Sequence, residues 1–256
     1  MMRLLVLALA TLFAGALLSP APARPQDTPS PTGVRESGRE LAERIRSSRP
    51  AESSEYQGVL KTRERDSDPR AVPLRCRIIL GQSNWKAIYE TAPTNQLPAE
   101  KLIIVHWPDR PNEYWYARSS QAGRPPVEPV LLTPAQTAVS FAGSDFWLVD
   151  LGLDFLHWPS QRVVKTEMRK GRVCHVLEST HSLVAPPLYA RVVSWLDKET
   201  GGPLLAEGYD RANKLVKEFS IRSFKRVDGH WQLQEMEIRS PKTGSRTAME
   251  FKFPPK

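Results

Sequence analysis

Two cysteines in 256 residues, with no CxxC between them, exclude a disulfide framework, a dithiol redox motif and a cysteine-built zinc site. The five histidines form neither HExxH nor HxH, so the common metal-hydrolase spacings are missing. There is no GxSxG elbow, no GxxxxGK phosphate loop and no GxGxxG turn. No apolar run reaches the roughly 20 residues a membrane-spanning helix needs. Basic residues outnumber acidic ones by eight, but the two are interspersed, as in KTRERDSDPR. Nucleic-acid binding needs such charge gathered on one face, so the pattern argues against it and leaves a mild attraction to anionic membrane surfaces. No metal, no cofactor and no catalytic residue is assigned, and the chain reads as a non-enzyme.

What is present begins with an export pattern. Arg3 precedes an apolar stretch from Leu4 to Leu18, and Ala21-Pro22-Ala23 supplies the small residues of a signal-peptidase site. Residues 1–23 are therefore expected to be a signal peptide cleaved after Ala23, with an uncleaved anchor as the alternative. No cysteine lies near the site to carry a lipid. The expected mature protein is exported, periplasmic and soluble. Residues 24–36, RPQDTPSPTGVRE, read as a flexible proline-rich leader, and 37–256 as one domain.

SGRELAERIRSS places Leu41 and Ile45 four apart, a short amphipathic helix ending before Pro50. Twelve strand-like runs follow, separated by turn compositions such as DSDPR, GQSN, Lys170-Gly171, DKETGGP, DRANK and SPKTGS. The proline-rich stretch 123–134 reads as a connection. Connections this short force antiparallel pairing. Side-chain parity puts Leu215, Phe219 and Ile221 on one face and Glu218, Ser220 and Arg222 on the other, and likewise opposes Met249, Phe251 and Phe253 to Arg246, Glu250 and Lys252. In 231–239 the parity switches between Leu233 and Met236, which predicts a bulge near Gln234-Glu235.

SDFWLVDLGLDFLHW (144–158) reads as a helix apolar around most of its axis, with Asp150 and Asp154 as a narrow wet stripe and Pro159 as its stop. It is either a core helix or a lid over an apolar cavity. The predicted fold class is mainly β (α+β): a strongly curved antiparallel sheet, an unclosed half-barrel of about 11–12 strands, with short helices covering its concave face.

AGSDFWLVDL, GRVCHVLEST, YARVVSWLDKETGGPLLAEGYDRANKLVKEF and GSRTAMEF, in that order between Phe141 and Phe253, resemble the LolA-like superfamily of outer-membrane lipoprotein-sorting proteins. The resemblance implies a single LolA-like β domain with lid helices, binding acyl chains of a lipoprotein or lipid. In that family an inner-membrane transporter loads the carrier and an outer-membrane acceptor unloads it. The acceptor's lipid-anchor cysteine is absent here, which leaves a soluble carrier, expected as a monomer, as the nearer analogue. A non-enzymatic envelope scaffold or stress sensor binding a protein partner is the alternative, with a hydrolase behind both. Candidate lipid-lining residues are Phe146, Leu153, Phe155, Phe219, Ile221, Met249 and Phe251, with plain core packing as the alternative for each. Cys76 and Cys174 form either a disulfide or two buried thiols.

Overall fold

The computed structural model describes residues 36–95, 97–119, 128–181, 189–227 and 230–253. The expected signal peptide, its cleavage site after Ala23 and all of the leader but Glu36 lie outside the described residues. The chain opens with α1 (Gly38–Ser47), started by a reciprocal capping box. Ser37 Oγ accepts from Glu40 N at 3.2 Å while Glu40 accepts from Ser37 N at 2.8 Å.

Five strands then run in sequence: β1 (Ser54–Arg63), β2 (Arg70–Leu80), β3 (Trp85–Thr91), β4 (Glu100–His106) and β5 (Glu113–Arg118). A two-residue strand, β6 (Val130–Leu131), lies inside the stretch expected to be a connection and brings the described total to thirteen. Seven more follow the lid: β7 (Ser160–Arg169), β8 (Arg172–Thr180), β9 (Arg191–Asp197), β10 (Pro203–Tyr209), β11 (Leu215–Val227), β12 (His230–Ser240) and β13 (Ser245–Lys252).

They form one antiparallel sheet in the order β6-β5-β4-β3-β2-β1-β13-β12-β11-β10-β9-β8-β7. The first six strands step outward to one edge, the last seven return from the other, and the β1–β13 pair joins the two meanders. β6 and β7 are therefore the free edges of an unclosed half-barrel. The segment between them, residues 132–159, has to travel from one edge to the other. It crosses the concave face, where its Phe141, Phe146 and Leu148 are at most 1% exposed.

The inward parity of the strands makes the core. In β2, Val72, Leu74, Cys76 and Ile78 are buried while Ala71, Pro73 and Arg75 are exposed. Each fully buried leucine or isoleucine contributes about 1.5–3 kcal/mol. α1 covers the other end of the concavity with Leu41, Ala42 and Ile45, and it lies so close to β7 that a Cβ on Gly38 would stand 2.4 Å from the Gln161 carbonyl oxygen. The bulge in β12 is found where parity placed it. The register passes from Ser223↔Glu235 to Phe224↔Leu233 and leaves Gln234 unpaired. β11 has a facing irregularity at Arg222, between Ile221↔Met236 and Ser223↔Glu235.

Three expectations are corrected. Residues 144–158 are not one helix. α2 spans only Leu148–Leu151, Leu153 is left-handed (φ 53°), and Asp154–His157 forms a separate 3₁₀ turn. Apolar periodicity could not show this break, because the turn is imposed by contact with β5 at Gly152. Second, of the two readings left open for the cysteines the disulfide falls and the buried thiols stand: Cys76 and Cys174 are both free and buried, on strands seven places apart in the sheet. Third, Asp150 and Asp154 are not a solvated stripe. Both turn inward to buried partners.

Candidate functional site

The lid is held down by three aspartates that reach in three directions. Asp145 meets β13: its backbone N–H donates to Thr247 Oγ1 at 2.9 Å, and its carboxylate accepts from the Ser245 and Thr247 hydroxyls. Asp154 meets β5 and the loop before it, accepting from Tyr114 Oη at 2.7 Å and Asn112 Nδ2 at 3.3 Å. Asn112 also donates to the Gly152 carbonyl at 2.8 Å. Burial outweighs these donors and raises the Asp154 carboxyl to about 6.

Asp150 meets the opposite wall. Its carboxylate accepts from Tyr189 Oη at 2.7 Å, from Lys217 Nζ at 3.2 Å and from the Trp147 backbone N–H at 2.8 Å. Lys217 is 6% exposed, and its ammonium also lies 3.4 Å from the centroid of the Trp147 ring, which in turn stacks on Tyr189. Desolvation lowers the Lys217 pKa, with Asp150 opposing the shift. A lysine this deep is stable only while its partners stay in place.

Beneath the lid lies a cavity of about 450 Å³. From the lid it takes Phe146, Val149, Leu151, Leu153 and Phe155, and from the sheet Val192, Ala206, Phe219, Met236 and Ile238. Asp150, Asp154 and Lys217 reach its wall, so an apolar volume meets a few fixed polar groups, the composition typical of small-ligand sites. Gly208 is part of the wall because Tyr189 packs directly on it; a Cβ there would stand 2.6 Å from the ring.

Of the seven sequence candidates, Phe146, Leu153, Phe155 and Phe219 border this cavity. Ile221, Met249 and Phe251 do not. Ile221 borders a separate cavity, Met249 is wholly buried between Leu60 and Met236, and the Phe251 ring packs over Gly58 and edge-on to Tyr56. Inward parity marks the concave face but cannot tell which part of it the lid leaves open. Sequence reasoning missed Lys217, although it shares the parity of Phe219 and Ile221; a lysine within an apolar face was the available signal.

The histidines are placed by packing. His106 is stacked on Trp85 at 3.8 Å, and burial lowers its pKa to about 3. His157 borders the cavity beside Arg46, and burial lowers it to about 4. His175 on β8 is also lowered, chiefly by desolvation. His181 borders the cavity and meets the Trp158 ring edge-on, and His230 opens β12. Among the described residues, no three His, Cys, Asp or Glu side chains gather into a metal-ligating group. No helix among them is long and apolar enough to cross a membrane.

An open antiparallel half-barrel with a lid strapped across its concave face defines the class of fold. The particular fold is LolA-like. The chain is similar to a DUF1329 family protein from Desulfovibrio piger, with a TM-score of 0.67, 19% identity, and 84% of this chain and 90% of that chain covered. The same values relate it to an outer membrane lipoprotein-sorting protein domain from Vibrio parahaemolyticus. A LolA superfamily protein from Nitrosomonas europaea matches at a TM-score of 0.58 and 15% identity, covering 85% and 92%. One family model, described as an uncharacterized protein, matches residues 128–254, from just before β6 to just past β13. No curated protein matches the chain.

Proposed function

We propose that the protein binds an acyl chain in the cavity between the lid and the concave face, as a non-enzymatic carrier or sensor of lipid or lipoprotein in the periplasm. The observation that carries this reading is the cavity itself: about 450 Å³, bordered mainly by apolar side chains, under a strap that hydrogen bonds hold to the sheet on three sides. Burying about twelve methylenes there would gain roughly 10 kcal/mol gross. Ordering the chain and lifting the lid would offset part of that, which keeps release feasible. The lid closes through named hydrogen bonds, so loading is a competition between an acyl chain and those bonds.

The likeness to lipoprotein-sorting domains supports the reading through the fold. The expected export signal supports the compartment, and an inner-membrane donor and an outer-membrane acceptor are the partners a carrier would need. Native mass spectrometry of the mature protein, followed by solvent extraction, tests the proposal. A bound acyl species that is lost in Phe219→Glu supports it. A clean apo mass, with no uptake of a fluorescent fatty-acyl probe, overturns it.

A further inference from the structure

A second cavity, of about 480 Å³, opens where the β7–β8 turn, the β9–β10 turn and the middle of the β11–β12 pair meet. It shares no lining residue with the first. Leu204, Ile221 and Leu233 give it a buried apolar floor, with Phe224 partly buried beside them.

Its rim is cationic, through Lys170, Arg172 and Arg222. The three are not equivalent. Arg172 is neutralised by Asp197 at 2.7 Å and Glu199 at 2.6 Å. Lys170 reaches across the cleft to donate to the Ile221 carbonyl, a placement set by the hairpin turn in which Lys170 and Gly171 both have positive φ (49° and 75°). Burial and the nearby Arg222 and Arg169 guanidinium groups lower the Lys170 pKa, with only Glu237 opposing them. Arg222 forms no ion pair among the described residues. Like charges thus crowd at the mouth of an apolar cleft, an arrangement that an anion would relieve.

Two local features shape the place. The facing irregularities at Arg222 and Gln234 bend the β11–β12 ladder at this point, and such bulges re-aim side chains. Trp231, 43% exposed, stands at the mouth with one side on the apolar lining, a position suited to the boundary between headgroup and tail.

We propose that this cleft is a second binding site, for a single anionic amphiphile: its phosphate or carboxylate headgroup is held by Lys170 and Arg222, and a short apolar stem lies on Ile221, Phe224 and Leu233. The guanidinium offers a planar two-pronged donor and the ammonium a point charge, a pairing suited to such a headgroup. This site goes beyond the acyl-chain reading of the first cavity and does not depend on it.

The test is calorimetric titration of the mature protein with dihexanoyl phosphatidylglycerol kept below its micelle concentration, against dihexanoyl phosphatidylcholine. The expected result is saturable binding of the anionic lipid alone, weakened about tenfold by Arg222→Gln and also by added salt. Arg222 is exposed, so Arg222→Gln should fold normally and take up the acyl probe like the parent. Phe219→Glu, which places a carboxylate in the apolar wall of the first cavity, should leave phosphatidylglycerol binding intact. Equal binding of both lipids would overturn the proposal, as would no effect of Arg222→Gln. So would binding to phosphatidylglycerol vesicles without binding to the monomer, or binding that Phe219→Glu abolishes.

Discussion

Tyr114 on β5 donates a 2.7 Å hydrogen bond to Asp154, forty residues downstream on the lid, and its hydroxyl stands 1.9 Å from where a Cβ on Gly152 would be. One phenol thus clasps the lid and dictates a glycine at its break. Gly152→Ala is expected to cost about 2–4 kcal/mol by driving the lid off β5. In the background of Tyr114→Phe the penalty should shrink only partly, because the ring carbon at 2.8 Å remains. Urea unfolding of the two single variants and the double variant measures the coupling.

The Asp154 carboxyl titrates near 6 in the folded protein against an ordinary 3.8. The folded state therefore holds a proton that the unfolded state releases, so stability is greatest below about pH 4 as far as this group is concerned. It then falls as pH rises towards 6 and is flat above, by at most about 3 kcal/mol in total. The lid should lift more readily at pH 7.5 than at pH 5. Asp154→Asn is expected to remove this part of the pH slope, read from unfolding free energies between pH 4 and 7.

Lys217 and Asp150 form a buried pair, so removing one side strands the other. Lys217→Met is expected to cost about 3–5 kcal/mol. Combining it with Asp150→Leu should cost clearly less than the sum of the two single changes, as a double-mutant cycle would record.

Phe219 and Met249 share a concave face but not a role. Met249→Ala leaves a void in a fully buried site and should lose about 2–5 kcal/mol while the folded fraction takes up the acyl probe like the parent. Phe219→Glu should lose uptake with a smaller loss of stability, since Phe219 is only partly buried and borders the cavity. Probe titration beside chemical denaturation separates the two.

Cys76 and Cys174 are buried free thiols, and desolvation raises both above the ordinary thiol value. Neither should react with a thiol reagent until the protein unfolds, and a reductant should leave the melting temperature unchanged.

Much of the sheet was legible in the residues themselves. Strand-like runs between turn compositions marked twelve of the thirteen strands, the short connections forced them antiparallel, and the parity break near Gln234 located a bulge. These are local properties, set by the pleat and by a few residues around each turn. β6 escaped because two residues carry no period. The lid escaped for a different reason. Its apolar pattern fits a helix, yet Tyr114 allows no side chain at residue 152, and the inward donors Tyr114, Tyr189 and Lys217 reclaim two aspartates that a free helix would expose to water. Which inward residues line open space and which are packed solid was likewise a matter of where the strap crosses the sheet. The sequence determined the strands and their faces through short-range sterics and burial. Only the tertiary structure decided the cavity, because the lid residues that roof it and the strand residues that wall it are remote from one another in the chain.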